Sequence, residues 1–146
     1  MTETASSQPS STTGDDLSWV LKPIADTARV RHAVIASSDG MLVAKSESLD
    51  RDTAEGIAAM SCSGISAIRA AADQALNAPS PIETVTTVSK EGIVIIMPAA
   101  YNTFLVVAGE RDMAIGTVAN TVALQARKLG EKLMSVPARD TGDTPS

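Results

Sequence analysis

The sequence predicts a single α+β domain, an α/β sandwich in which a five-stranded antiparallel sheet lies between helices. One observation behind this prediction is the alternation of β-rich runs with helical segments, in the order α-β-β-α-β-β-β-α. The other is that residues 93–97 and 103–108 are apolar at almost every position. Such runs are typical of central strands that have helices above and below the sheet.

The domain boundaries follow from composition and length. A chain of 146 residues fits one domain, because domains usually have about 100–200 residues. Residues 1–14 and residues 136–146 consist mostly of polar residues, Gly and Pro, which cannot bury enough apolar surface to offset the entropy lost on ordering. We therefore expect a disordered tail at each end and a folded domain over residues 15–135.

The first elements are a short helix and a hairpin. Asp15 and Asp16 can cap a helix that presents apolar residues on one face, until Pro23 bends or ends it. The β-rich runs 30–37 and 41–46 then flank an Asp-Gly pair, which is a strong hairpin signal.

A long helix and three further strands come next. Asp50 is a good N-cap, and Asn77 with the following prolines ends the helix, which predicts a helix over residues 51–76. The β-branched run at residues 82–89 predicts the third strand. After the two apolar strands, a last helix is expected over about residues 113–134.

The overall charge and the cysteine content exclude several classes of protein. The net charge is −5, with 12 Lys and Arg against 17 Asp and Glu, and the chain has one Trp, one Tyr and one Phe. Nucleic acid is therefore not an expected partner, because it selects basic patches and stacking aromatics. The single Cys62 cannot form an intrachain disulfide, and no signal peptide or uncharged membrane span is visible. These features predict a cytoplasmic protein without direct membrane insertion.

No catalytic, cofactor-binding or metal-binding constellation is predicted. The glycines form neither a G-x-x-x-x-G-K-[ST] loop nor a G-x-G-x-x-G loop, so no phosphate cradle is expected. The only histidine, His32, lies in an alternating strand and is predicted to be structural or solvent-facing. No serine lies in a G-x-S-x-G elbow. We therefore expect a protein that is not an enzyme.

The long helix carries the most informative pattern, since residues 56–68 contain no charge. One face, which includes Ile57, Ile65 and Ile68, is predicted to pack on the sheet. The opposite face has only small residues, which allow two helices to approach closely, so we predict pairing with a second copy. The alternative is an exposed alanine-rich face selected for helix propensity. The predicted dimer interface comprises Gly56, Ala59, Ser63, Ser66 and Ala70 on the helix and Thr84, Val85, Thr86, Thr87 and Val88 on the third strand.

The hairpin 34–44, the small-residue helix, residues 92–97 and the junction 105–116 resemble the Roadblock (dynein light chain) family over roughly residues 17–134. The chain is most similar to bacterial stand-alone members that accompany a small Ras-like GTPase, in particular those of actinobacterial conservon operons. The resemblance implies a Roadblock/profilin-like fold and a homodimer formed through the long helix and the third strand.

The resemblance also implies a function in signalling. It implies a non-enzymatic regulator or scaffold that binds a small Ras-like GTPase. A histidine-kinase-like sensor is a further implied partner. Whether partners recruit the protein to a membrane is left open. The competing interpretation is a small-molecule-sensing or kinase-associated adaptor domain of similar fold. A ligand cavity with a few convergent polar groups would favour that alternative.

Overall fold

A computed structural model of the chain describes residue 17, residues 19–100 and residues 102–143, with side chains described as far as residue 132. The element order is the predicted one. The elements are α1 (residue 17 and residues 19–25), β1 (Val30–Ser37), β2 (Leu42–Lys45), α2 (Arg51–Leu76), β3 (Val85–Val88), β4 (Ile93–Ala99), β5 (Thr103–Gly109) and α3 (Ile115–Asp143).

The five strands form one antiparallel sheet in the order β2-β1-β5-β4-β3. The two apolar runs predicted as central strands are β4 and β5, and each has a neighbour on both sides. β5 lies in the middle, where Val107 pairs with Ala33 of β1 on one side and with Ile95 of β4 on the other. The predicted α+β fold with a five-stranded antiparallel sheet is therefore confirmed.

One face of the sheet is covered by α1 and α3, which form the larger core. Side chains of both helices pack there against alternate residues of the strands, as the two-residue period of a strand requires. The most buried members are Val20, Leu21 and Ile24 of α1, Val118, Val122 and Leu129 of α3, and Ile35, Ile95, Leu105 and Val107 of the sheet.

The other face carries a smaller core beneath α2, which contacts β1 and β2. The buried residues of this core are Leu49, Ala54 and Ala58 together with Val34, Ala36, Phe104 and Val106. Because Ala54 and Ala58 are small, the first half of α2 lies close to the sheet. The α2 side of β4 is only half-buried, since Val94 and Ile96 pack at the margin of this core.

The ends of α2 confirm the local sequence signals. The Thr53 hydroxyl and backbone N–H donate hydrogen bonds of 2.7 and 3.1 Å to the Asp50 carboxylate, and both bonds lower the pKa of that carboxyl below its ordinary value. At the other end, Asn77 adopts a left-handed conformation with φ of 54°. Its N–H donates to the Gln74 carbonyl at 3.3 Å, which closes the last turn.

Two predicted details differ on the α2 side. β3 begins at Val85, so Thr84 lies in the preceding loop and not in the strand predicted over residues 82–89. A longer ladder would bring residue 83 opposite Pro98 of β4, which has no N–H to donate. Ile68, predicted to pack on the sheet, is 43% exposed, because the second half of α2 extends past the part of the sheet that it covers.

The C-terminal helix also differs from expectation. α3 continues through Pro137 to Asp143, beyond the end predicted near residue 134 and into the tail predicted over residues 136–146. The prediction relied on composition, because a segment of polar residues, Gly and Pro buries little apolar surface. A proline inside a helix removes only one backbone hydrogen bond and can be accommodated by a bend. The tail predicted over residues 1–14 lies outside the described residues.

Candidate functional site

A groove runs along α2 where this helix leaves the sheet uncovered. Its volume is about 230 Å³. One wall is formed by Ile57, Met60 and Ser61 of α2, and the floor is formed by Val94 of β4 and Val106 of β5 among other strand residues. Most of these side chains are apolar, so the groove offers a surface for packing and no cluster of reactive groups.

Large apolar side chains of α2 are exposed both at this groove and at the end of the helix. Met60 is 69% exposed, and Leu76 at the end of the helix is 68% exposed. A helix whose contacts were complete would normally place polar residues there. Met60 and Ile57 were absent from the predicted interface, because the prediction selected small residues and assigned Ile57 to the sheet. A lone methionine among alanines and serines was the signal that could have identified this position.

The small-residue face of α2 is open to solvent as a whole. Ala59, Ser63, Ser66 and Ala70 are exposed and Gly56 is half-buried. One residue of this face nevertheless lies close to another part of the chain. A Cβ atom at Gly40 in the β1–β2 turn would lie only 3.6 Å from the Ala59 Cα, so Ala59 lies against that turn.

The predicted residues of the third strand lie at the edge of the sheet. Among the described residues, β3 pairs only with β4, which leaves its outer edge unpaired. Val85 and Thr87 are opposite Ile96 and Val94, and they therefore lie on the α2 side of the sheet. Thr86 and Val88 alternate with them and therefore lie on the α3 side. The Val88 side chain is 56% exposed.

His32 lines the groove and is hydrogen-bonded to Ser48, which in turn contacts Ser46. Its Nδ1 is 2.7 Å from the Ser48 Oγ, and the Ser48 hydroxyl donates to the Arg31 carbonyl at 2.8 Å. Ser46 Oγ is 3.0 Å from Ser48 Oγ and accepts the Ala33 N–H at 3.0 Å. The imidazole thus links β1 to the loop that precedes α2, which is a structural arrangement.

Other kinds of site were sought throughout the described part of the chain. No group of three or more His, Cys, Asp or Glu side chains within it is arranged to hold a metal ion. Within the same residues, none of the helices combines the length and the apolar character that crossing a lipid bilayer requires.

Comparison with solved structures identifies the same fold in bacterial proteins. A Roadblock/LC7 domain from Streptomyces avermitilis is 20% identical, with a TM-score of 0.74 over 80% of this chain and 96% of that one. A second Roadblock/LC7 structure from Streptomyces avermitilis is 29% identical, with a TM-score of 0.61 over 77% and 96%. Myxococcus xanthus MglB is 12% identical, with a TM-score of 0.73 over 82% and 96%.

The sequence comparisons agree with the structural ones at the level of the family. No curated protein sequence matches the chain significantly. A family model described as Roadblock/LC7 domain matches residues 18–108, which span α1 and all five strands together with α2. Members of this family are regulatory and adaptor domains. The chain therefore belongs to the Roadblock/LC7 domain family.

Proposed function

We propose that this chain is a homodimeric regulator or scaffold that binds a small Ras-like GTPase and modulates its GTPase cycle. The observation that carries the proposal is the half-covered sheet face. α2 leaves an apolar groove beside it, exposes Met60 and small residues, and lies on the same side of the sheet as Val85 and Thr87 of the unpaired edge strand. Exposed apolar surface of this kind is typical of protein interaction sites.

The dimer is formed by two symmetry-related contacts. The exposed side of α2, with Ser63 and Met60, packs against the same helix of a second copy, because small residues allow close approach of the backbones. β3 carries no Lys or Pro that would block pairing at its edge, so two copies can extend the sheet across a two-fold axis. The small-residue face and residues 84–88 remain the proposed interface, with Met60 added from the structure.

The GTPase supplies the phosphate chemistry. The sequence has neither of the glycine-rich phosphate loops, and the described residues contain no acidic cluster for a magnesium ion. Two arginines are already engaged, since Arg29 lies 3.5 Å from Glu110 and 3.6 Å from Asp112, and Arg51 lies 3.2 Å from Glu55. We propose that the dimer acts by shifting the partner's own residues into place rather than by inserting an arginine.

Affinity capture in two nucleotide states tests the partner. The full chain serves as bait in a lysate of the native cell that contains either GDP or a non-hydrolysable GTP analogue, and retained proteins are identified by mass. A Ras-like GTPase retained in only one nucleotide state is the expected result. Failure to retain any GTPase in either state would remove the GTPase proposal.

The mechanism is tested by GTP turnover of the purified partner. Single Arg→Ala variants at residues 29, 31, 51, 69, 111, 127 and 139 are expected to leave most of the stimulation intact. Loss of nearly all stimulation in one variant that still binds normally would identify an arginine finger, which contributes about 10³–10⁵ in rate, and would contradict this mechanism.

The setting of this regulator is a cytoplasmic signalling system. By the resemblance to conservon proteins, a histidine-kinase-like sensor is the further partner, and such partners recruit the dimer to a membrane. The same capture experiment tests this, since the sensor should be retained together with the GTPase. A small-molecule-sensing function is the second candidate, and one cavity of the fold favours it.

A further inference from the structure

A second cavity lies on the α2 side of the sheet, at the opposite end from the groove. It has a volume of about 310 Å³, at the small end of the range of about 300–1,000 Å³ for ligand sites. Residues of the second half of α2, of the loop from α2 to β3 and of the adjoining ends of β4 and β5 line it, and it is open to solvent on one side. Its apolar lining consists mainly of Ile65, Ile82, Pro98 and Phe104.

Polar side chains converge on this apolar lining from α2 and from the β4–β5 turn. Arg69, Ser66 and Asn102 all line the cavity. None of these three side chains makes a hydrogen bond or an ion pair with another part of the chain that the structure describes. The cavity therefore combines one solvent-exposed positive charge and two exposed neutral hydrogen-bonding groups with an apolar lining.

The acidic residue of α2 that is nearest to Arg69 in the sequence contacts the following loop. Asp73 lies four residues further along α2, a spacing at which opposite charges commonly pair. Its Oδ1 instead accepts the Ser80 N–H at 2.6 Å. This bond holds the loop that places Ile82 in the cavity wall, and within the described residues no ion pair joins Asp73 to Arg69.

The walls are held in place before any ligand binds. The Ser38 N–H donates to the Asn102 carbonyl at 2.7 Å, which joins the β1–β2 turn to the β4–β5 turn. The Cys62 thiol donates to the Ser38 carbonyl at 2.8 Å and so ties α2 to the same turn. A cavity that needs little ordering on binding retains more of the interaction energy as affinity.

We propose that this cavity binds a small organic monocarboxylate with an apolar body. The carboxylate pairs with the Arg69 guanidinium, whose planar donors match two carboxylate oxygens, and Asn102 supplies a further hydrogen bond. The apolar body lies against Phe104 and Ile82. Inorganic phosphate is a poorer match, because the cavity offers one cation and a largely apolar lining.

This inference is independent of the proposed GTPase partner. Of the proposed dimer-interface residues, the cavity lining contains only Ser66, and Met60 of the groove is not part of it. A regulator with such a site would respond to a metabolite through the wall that α2 contributes. A negative result in the GTPase capture experiment would therefore not contradict the ligand site, and absence of ligand binding would not contradict the GTPase partner.

Calorimetric titration with 3-phenylpropionate tests the site, with 3-phenylpropanamide as the matched neutral compound. The full chain is expected to bind the acid with a dissociation constant of about 1 mM or lower and to bind the amide about tenfold or more weakly. Arg69→Met keeps the aliphatic stem and removes the charge, and it should weaken binding of the acid by about tenfold or more. Arg111→Met, at an exposed position outside the cavity, is the control and should leave binding unchanged.

A second variant changes the charge of the cavity lining without changing the size of the side chain. Asn102→Asp preserves side-chain size and tolerates the positive φ of 57° at this position, but its carboxylate should repel the ligand and abolish detectable binding. Melting temperatures of the variants close to that of the parent confirm folding of these exposed positions. The proposal is overturned if the parent binds neither compound, if acid and amide bind equally well, or if Arg69→Met binds the acid as tightly as the parent.

Discussion

Arg29 and Glu110 are joined twice. The Glu110 N–H donates to the Arg29 carbonyl at 2.9 Å, and the Arg29 Nη1 lies 3.5 Å from the Glu110 Oε1. These contacts tie the turn before β1 to the turn after β5. Arg29 also adopts a positive φ of 72°, which is uncommon for a residue with a side chain.

This arrangement makes two substitutions at Arg29 differ in their effect. Arg29→Gly loses surface ion pairs, worth about 0–1 kcal/mol each, but removes the strain of positive φ, so we expect a change in unfolding free energy within about 1 kcal/mol. Arg29→Val loses the same pairs and places a β-branched residue at positive φ, with an expected cost of about 2 kcal/mol or more. Urea denaturation measures both. Equal stability of the two variants would show that backbone strain at this position is negligible.

Close packing at Gly92 predicts a strong effect of one added methyl group. A Cβ atom at this position would lie 2.4 Å from the carbonyl oxygen of Gly109, where only a backbone shift can make room. Gly92→Ala should therefore reduce the free energy of unfolding by about 1–3 kcal/mol. Gly116→Ala is the matched control, because nothing lies within 4 Å of its Cβ position and alanine favours the helix. A Gly92→Ala variant as stable as this control would contradict the packing argument.

The Asp50 cap predicts a stability that depends on pH. Because the hydrogen bonds from Thr53 lower the pKa of the folded state, the stabilisation is complete above the unfolded pKa of about 3.9 and is lost as pH falls through the lower folded pKa. Asp50→Ala should thus melt at a lower temperature than the parent at neutral pH, and the difference should narrow at strongly acidic pH. Melting curves from pH 7 to about pH 2 measure this.

Asp50→Asn is the control for the pH argument. Asparagine caps helices about as well as aspartate but does not titrate. Its advantage over Asp50→Ala should therefore remain through the acid range. A gap between the parent and Asp50→Ala that is constant with pH would exclude the carboxylate as the source of the stabilisation.

The proposed dimer predicts loss of association from two exposed positions of α2. Ser63→Arg and Met60→Glu each place a charge where the second copy should pack, and an uncompensated buried charge costs several kcal/mol. Both side chains are exposed in the single chain, so its folding should be preserved. Sedimentation velocity at micromolar concentration is the measurement. Leu124→Glu is the control, since Leu124 is also exposed, at 41%, but lies on α3 on the opposite face of the sheet and outside the proposed interface. Dimers persisting in both α2 variants would show that the interface lies elsewhere.

The sequence predicts the type and order of the helices and strands better than the features that depend on contacts between them. The bounds of α2 follow from Asp50 and Asn77, because capping is a local interaction between residues a few positions apart. The apolar runs of β4 and β5 likewise indicate central strands, since a strand covered on both faces needs apolar residues throughout. The start of β3 could not be predicted from the sequence, because it depends on Pro98 in the neighbouring strand.

The candidate sites show the limit of prediction from sequence. The small-residue face of α2 was visible as a pattern without charges, but the exposed Met60 and Ile68 depend on how far α2 extends over the sheet. The ligand cavity could not be predicted, because Arg69, Ile82 and Asn102 lie on three separate segments. The pattern of residues within one segment does not indicate which residues of the other two segments it contacts.

The sequence by itself determined the kinds of element, their order and the ends of α2, because these depend on local propensities, caps and the spacing of apolar residues. Only the tertiary structure decided that β1 lies beside β5, that α2 covers half of one sheet face, and that Asp73 binds Ser80. These relationships arise from packing between distant segments, where one arrangement is selected by the total buried surface and by hydrogen bonds that no local pattern specifies.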